Sequence, residues 1–163
     1  MKHVLGPTTK SELTGVQEGD SQPNAVDLRV AKMYRIKQEV FVLSNEDKKH
    51  RGSIELETDS EGYYFLTPGE YEVVMENIIK VGEGEAGWVI TRSTLNRNGL
   101  FLTSGLYDSG YHGAMAAVLH VGVGVARIKQ GTRIGQYLSF DAESLSSYDG
   151  DYGLKSEHDK KYV

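Results

Sequence analysis

The sequence predicts an all-β domain, and two features of the chain indicate this. From Ala25 onward, most apolar runs are four to eight residues long and rich in Val, Ile, Leu, Tyr and Phe, which is typical of short strands. Gly, Asn, Asp and Ser separate these runs, and the 19 glycines lie mainly between them, where turns need positive φ. Helix is the weaker signal, so we expect a barrel or a sandwich of strands.

The length of 163 residues favours one compact domain, since domains usually have roughly 100 to 200 residues. We predict a lead-in at residues 1–24, a β-barrel domain at 25–145 and a C-terminal tail at 146–163. The lead-in is expected to pack only in part. The tail is polar and punctuated by tyrosines, so we expect a mobile segment that can close over a ligand.

Charge and composition exclude several classes of function. A formal net charge of -5 argues against binding nucleic acid through its phosphates, but it leaves a small anionic ligand possible. Zero cysteines exclude disulfides, zinc-thiolate sites and a cysteine nucleophile. No apolar run approaches the roughly 18 residues of a membrane span, and no signal peptide is evident. We therefore expect no membrane partner and a cytoplasmic protein, in a host's cytoplasm if its origin is viral.

One short helix is predicted, at Ser93–Leu100, with Ser93 and Thr94 as the cap and Gly99 as the terminator. The same region carries Arg92 and Arg97. Hydroxyls, helix N-terminal amides and guanidinium groups together can form a phosphate site. A capped turn with two solvated arginines is the structural alternative.

The segment GLYDSGYHG at residues 105–113 predicts a hairpin with a functional tip. Asp108 is a candidate general base, and Tyr111 offers a ring face to a flat ligand that the flanking glycines allow to approach. The structural alternative is a turn in which Asp108 bonds nearby backbone amides. A later turn and strand carry Arg133 and Gln136, which would ordinarily be outward-facing polar residues.

Asp27 lies among apolar residues in a predicted strand. Burying a carboxylate without a partner is costly, so we expect it to pair with Arg29, with Arg35 or with a hydrated magnesium ion. A lone aspartate anchors Mg²⁺ only if a nucleotide supplies the other ligands.

Four segments, in this order along the chain, resemble the motifs of the trimeric dUTPase and dCTP deaminase superfamily. QPNAVDLR resembles the first motif of the deaminase branch, and PGEYEVV with AGWVITRSTLNRNGL resembles its second. GLYDSGYHG resembles the third motif of dUTPases, and QGTRIGQYLSF resembles the fourth. The resemblance spans about residues 20–153 and depends on four spaced motifs rather than on one.

The resemblance implies a distorted β-barrel or jelly-roll subunit, a homotrimer with active sites between subunits, and a pyrimidine deoxynucleoside triphosphate bound with Mg²⁺. Asp108 would orient the attacking water and meet the sugar 3′-hydroxyl, and Tyr111 would pack against the deoxyribose. Asp27 would lie near the magnesium waters, and the strand around Gly105 would read the base through its backbone. The residues facing the phosphates would be Arg92, Ser93, Thr94, Arg97 and Gln136.

Departures from the family pattern separate the possible activities. Deaminases carry a glutamate five residues after the position of Gly113, where this chain has Val118. The asparagine that dUTPases usually carry six residues before the aspartate is Leu102 here, the asparagine at the end of the following strand is Val121, and their glycine-rich fifth motif is missing.

The leading prediction is therefore a dUTP pyrophosphatase. One alternative is a dCTP deaminase or a bifunctional dCTP deaminase-dUTPase. The other is a non-catalytic trimeric binding protein with a structural or regulatory role.

Overall fold

The computed structural model describes residues 1–162 of the chain and shows a nearly all-β architecture. Within these residues there is one α-helix, α1, at Ser93–Asn96, and one 3-10 helix at His158–Tyr162. The strands are β1 Glu12–Leu13, β2 Val26–Ile36, β3 Val42–Leu43, β4 Lys48–Lys49, β5 Ser53–Glu55, β6 Tyr63–Leu66, β7 Gly69–Lys80, β8 Glu85–Thr91, β9 Leu100–Thr103, β10 His112–Val121, β11 Ala126–Lys129 and β12 Arg133–Asp141. The all-β prediction is confirmed.

The main sheet is antiparallel and runs in the order β8-β12-β2-β7-β10-β9. Its two edge strands, β8 and β9, approach each other and nearly close the sheet into a barrel. Hydroxyl groups make the connection, since Ser104 Oγ accepts from Val89 N–H at 2.9 Å and Thr91 Oγ1 accepts from Leu102 N–H at 2.7 Å. This arrangement covers edges that would otherwise expose unpaired backbone groups.

Alternating apolar residues of the long strands fill the interior of the barrel. Leu28 of β2, Met115 and Leu119 of β10, and Ile134 and Tyr137 of β12 are all almost completely buried. The alternation follows from the strand period of two, which sends successive side chains to opposite faces of the sheet.

Bulges interrupt this alternation in β10 and in β12. The register shifts in β10 between Ala114 and Ala116, and in β12 between Arg133 and Gly135. Bulges of this kind redirect side chains beside functional sites.

The N-terminal segment is more tightly joined to the barrel than a loose lead-in. Val4, Ser11 and Asp20 are buried, and β1 pairs with β7. The division of the chain at residues 24 and 145 stays a prediction. Within residues 1–162, the structure contains no helix that is both long enough and apolar enough to cross a membrane, and a cytoplasmic location stays a prediction.

The helix predicted at Ser93–Leu100 exists but is shorter, and its predicted cap is wrong. Arg92 holds the N-cap position with extended backbone, and no side chain caps the helix. Ser93 and Thr94 therefore lie inside the first turn, where both are exposed. Gly99, at φ 75°, ends the turn as predicted.

Candidate active site

The loop that joins β9 to β10 holds Asp108 at the surface of the barrel. Tyr107 pairs with Gly87 through two backbone hydrogen bonds of 2.7 and 3.1 Å. The next residues are fixed as well, because Ser109 Oγ donates to the carbonyl of Glu85 at 2.7 Å and Gly110 N–H donates to that of Val81. Asp108 between them is exposed. The loop thus presents one free carboxylate on a rigid support.

Tyr111 lies beneath this loop and is mostly buried. Its N–H donates to the carbonyl of Asp108 at 3.0 Å, so the two residues share one tight turn, and Gly110 supplies the positive φ of 85° that this turn needs. The phenol donates to the carbonyl of Ala114 at 3.1 Å. Burial is the main cause that raises the pKa of Tyr111 far above its usual range, and the nearby Tyr107 adds to it. The side chain is therefore a neutral ring.

The C-terminal segment, defined here as residues 146–162, packs against this loop. Tyr148 N–H donates to Ser109 O at 2.7 Å, and Leu154 N–H donates to His112 O at 2.9 Å. The Tyr148 ring lies edge-on to the Tyr111 ring at 5.4 Å. The segment therefore forms one wall of the site rather than extending away from the barrel.

A cavity of about 260 Å³ lies between the loop and the C-terminal segment. Gly105, Tyr111 and Ala116 line it from the barrel, and Tyr152, His158, Asp159 and Tyr162 are among the residues that line it from the other side. Its volume is slightly below the usual 300–1,000 Å³ of ligand pockets, so it has room only for a compact group.

Glu85 fixes the back of the loop through the N-terminal segment. Its carboxylate is almost fully buried and accepts hydrogen bonds from Ser11 Oγ, the N–H of Lys10 and Lys2 Nζ. Burial alone would raise the pKa of Glu85, but these donors outweigh burial and lower the pKa to about 2. Because the carbonyl of the same residue holds Ser109, the N-terminal segment supports the position of Asp108.

A second group of polar side chains surrounds Asp27 on β2. Its Oδ1 accepts from Gln136 Nε2 at 3.0 Å, and its Oδ2 lies 3.3 Å from both Arg92 Nε and Arg133 Nη1. We call these four residues the Asp27 cluster. Pairing of β2 with β12 sets Gln136 directly opposite Asp27, and Arg92 follows the end of β8, which pairs with the other side of β12.

The expected partners of Asp27 were wrong, apart from the untested magnesium ion. Arg29 pairs instead with the buried Asp20, with its Nη2 2.7 Å from Oδ1. Arg35 lies over the ring of Tyr71. The real partners come from strands distant in sequence, so no local pattern indicates them.

The residues around Asp27 do not fit a magnesium ion. Mg²⁺ prefers oxygen ligands and keeps several waters, whereas Asp27 has no exposed surface and faces two guanidinium groups. Within residues 1–162, no three His, Cys, Asp or Glu side chains are grouped so that they could hold a metal ion. The magnesium role of Asp27 therefore stays a prediction that this geometry does not favour.

Within one chain, β8 separates the loop of Asp108 from the Asp27 cluster. Tyr107, next to Asp108, pairs with Gly87 near the start of β8, and Arg92 follows the end of the same strand. Five residues of extended chain span about 16 Å at 3.2–3.4 Å per residue. Asp108 and Tyr111 thus share one group, and Arg92 and Gln136 share another.

The remaining predicted residues are placed as follows. Ser93, Thr94 and Arg97 are exposed on and just after α1. Leu102 is buried, so it faces the core and is unsuited to reading a base. Sequence reasoning missed His158 and Asp159 as wall residues, and the only available signal was the Tyr and Gly spacing of the tail.

Comparison with known proteins identifies the family. Residues 7–141 match the family model described as dCTP deaminase-like. Deoxyuridine 5′-triphosphate nucleotidohydrolase of Methanocaldococcus jannaschii is 31% identical over 148 residues, which cover 89% of this chain and 94% of that protein.

Two solved structures share the fold. The 2′-deoxycytidine 5′-triphosphate deaminase of Agrobacterium tumefaciens matches with a TM-score of 0.60 and 16% identity, over 80% of this chain and 43% of that one. A mutant dUTPase from phage phi11 of S. aureus, described for the coordination of a structural Mg(II) ion, matches with a TM-score of 0.52 and 11% identity, over 89% and 99% of the two chains. The chain belongs to the dCTP deaminase-like family, within the dUTPase and dCTP deaminase superfamily.

Proposed function

We propose that this protein hydrolyses dUTP to dUMP and pyrophosphate. The observation that carries the proposal is the geometry of the GLYDSGYHG loop. An exposed Asp108 and a buried, neutral Tyr111 share one tight turn beside a cavity of about 260 Å³. The nucleotidohydrolase name of the M. jannaschii relative supports the same activity.

In this mechanism Asp108 holds the attacking water by a hydrogen bond and accepts its proton as the water attacks the α-phosphorus. The bond from the α-phosphorus to the bridging oxygen breaks, and pyrophosphate leaves. Tyr111 packs its ring against the deoxyribose, and the backbone around Gly105 reads the base edge. Arg92 and Arg97 offset the negative charge that develops on the phosphates, and Ser93, Thr94 and Gln136 donate hydrogen bonds to the phosphate oxygens.

We propose that Mg²⁺ binds together with the triphosphate. Its ligands would come chiefly from phosphate oxygens and water, since the protein groups at Asp27 do not fit it.

A homotrimer with sites between subunits is part of the proposal, and the separation within one chain supports it. Tyr107, next to Asp108, pairs with Gly87, and Arg92 follows the end of β8, so about 16 Å of extended backbone separates positions 87 and 92. A substrate whose α-phosphate meets Asp108 needs phosphate-binding groups nearer than that. A neighbouring copy that brings its Arg92 to this Asp108 would complete the site.

The test is a pyrophosphate-release assay with Mg²⁺ on separate samples of dUTP, dCTP, dTTP and UTP. We expect release from dUTP, and a decrease of at least about 100-fold in Asp108→Asn. Asp47→Asn, which changes an exposed carboxylate in the β3–β4 turn, is the matched control and should leave the rate unchanged.

Other outcomes identify the alternatives. Ammonia release from dCTP would favour the deaminase alternative, which the dCTP deaminase-like match supports and Val118 opposes. A protein that binds a non-hydrolysable dUTP analogue but releases no pyrophosphate in any sample is a binding module, and the proposed activity is then wrong.

A further inference from the structure

The Asp27 cluster contains a second arginine, Arg133, to which the family resemblance assigns no role. Asp27 is completely buried, whereas Arg92 and Arg133 are about 30% exposed. A buried anion therefore lies behind two cations that reach the surface.

Each guanidinium group is held at one edge and free at another. Arg92 Nη1 donates to the carbonyl of Arg133 at 3.1 Å, and Arg133 Nη1 donates to the carbonyl of Gly19 at 2.7 Å. In the part of the chain that the structure describes, Nη2 of both arginines makes no hydrogen bond. A guanidinium group carries five N–H donors in a fixed plane, so donors remain for a ligand.

The charge of the cluster suits an anion. Two arginines and one aspartate leave one net positive charge, and the adjacent Asp20–Arg29 pair is neutral. Oδ2 of Asp27 receives no hydrogen bond of good geometry. Its effect on both arginines is therefore mainly electrostatic. It attracts both of them despite their like charge, and each lies 3.3 Å from Oδ2.

We propose that Asp27 is a positioning residue for Arg92 and Arg133, and that Arg133 is a second phosphate-binding arginine of this site. Arg133 precedes the bulge of β12 and Gln136 follows it, so one short segment supplies both a cation and an amide to the phosphates. The inference rests on the proposed nucleotide function and deepens it, because it assigns to Asp27 a role other than anchoring magnesium.

The first experiment measures binding of inorganic tripolyphosphate and of a non-hydrolysable dUTP analogue by calorimetry, in EDTA and without Mg²⁺. We expect Arg133→Met to bind both probes about 10-fold more weakly, the usual effect of losing one charge-assisted hydrogen bond. Arg127→Met is the control, since it removes an exposed cation paired with Asp59 and Glu61 on the β6–β11 side. Unchanged affinity in Arg133→Met would overturn the proposal.

The second experiment separates positioning from metal anchoring. Asp27→Asn keeps an acceptor for Gln136 but removes the charge between the arginines. We expect KM for dUTP to rise about 10-fold, with an unchanged Mg²⁺ concentration for half-maximal rate, and partial recovery in Asp27→Glu. A higher magnesium requirement with an unchanged affinity in EDTA would show that Asp27 anchors the metal.

The binding assay distinguishes the two proposals if one of them fails. Wild-type protein that binds tripolyphosphate through Arg133 but does not hydrolyse dUTP would disprove the activity alone. Wild-type protein that hydrolyses dUTP, together with an Arg133→Met variant that hydrolyses it at the same rate and binds tripolyphosphate with the same affinity, would disprove this inference alone.

Discussion

Glu85 joins the N-terminal segment to the loop that carries Asp108. Its buried carboxylate accepts from three residues of the N-terminal segment through side chains, Lys2, Thr9 and Ser11, and its carbonyl accepts from Ser109. Removing one partner of a buried, hydrogen-bonded charge is more costly than its net contribution suggests, because the other groups stay buried.

We predict that Glu85→Gln lowers the free energy of unfolding by about 3 kcal/mol at pH 7. The folded-state pKa of about 2 lies below the ordinary value of 4.5, so the stabilisation is fully present above pH 4.5. It is lost as the pH falls from about 4.5 towards 2. Urea denaturation of both proteins across this range checks the prediction, with the exposed Glu12→Gln as the control. A difference that is the same at pH 7 and at pH 3 would contradict it.

At the residue scale, the sequence predicted the exposure of a side chain better than its contacts. Asp108 was recognisable because its motif is local, and the loop does present it at the surface. Asp27 was recognisable as a carboxylate that needs a partner, but its partners lie on β12 and after β8. The register between strands that are distant in sequence determines the partners of Asp27, and no local residue pattern encodes that register.

Among the structural elements, the C-terminal segment makes contacts that its polar composition does not indicate. Backbone hydrogen bonds to Ser109 and His112 dock it on the loop, and its mobility stays a prediction. Gly113 allows this close approach, since a Cβ there would lie 2.8 Å from Gly153 Cα. The α1 helix was only partly predictable. Gly99 indicated where it ends, but no sequence signal indicated Arg92 as its N-cap.

We predict that docking of the C-terminal segment weakens below pH 6.5. The rings of His50 and His158 lie 4.4 Å apart. Burial is the main cause that lowers the pKa of His158, and the nearby His50 and Lys161 lower it further. Asp159 and Glu72 raise this pKa, but their effects are smaller. A lowered pKa means that the neutral form stabilises docking above the ordinary value of 6.5, and that this stabilisation is lost as the pH falls through it.

The check is the difference in melting temperature between wild type and His158→Gln across pH 5 to 8. It should be largest above pH 7 and shrink at pH 5. His112→Gln, which changes an exposed histidine on the loop side, is the control. A difference that grows towards pH 5 would show that charged His158 stabilises the segment.

At the scale of the whole molecule, the near-closure of the barrel keeps the loop of Asp108 and the Asp27 cluster at opposite ends of β8. The hydroxyl contacts of Ser104 and Thr91 hold β8 against β9, so β8 acts as a fixed spacer between the loop of Asp108 and the Asp27 cluster. The all-β class was predictable because it follows from strand length and turn residues. The residues alone left a barrel and a sandwich open, and the family resemblance implied the barrel that the structure shows. The two hydroxyls that nearly close it were not recognisable, since they look like ordinary strand residues.

If neighbouring copies complete each site, two inactive variants should restore each other. Asp108→Asn and Arg92→Met should each be nearly inactive alone. Co-expressed in equal amounts, they should regain about a quarter of the wild-type rate, because that share of sites receives an intact Asp108 from one copy and an intact Arg92 from another. Light scattering on the same samples establishes the assembly state. Mixed trimers without recovered activity would show that each chain builds its own site, with Asp108 and Arg92 brought together by movement of the loop or α1.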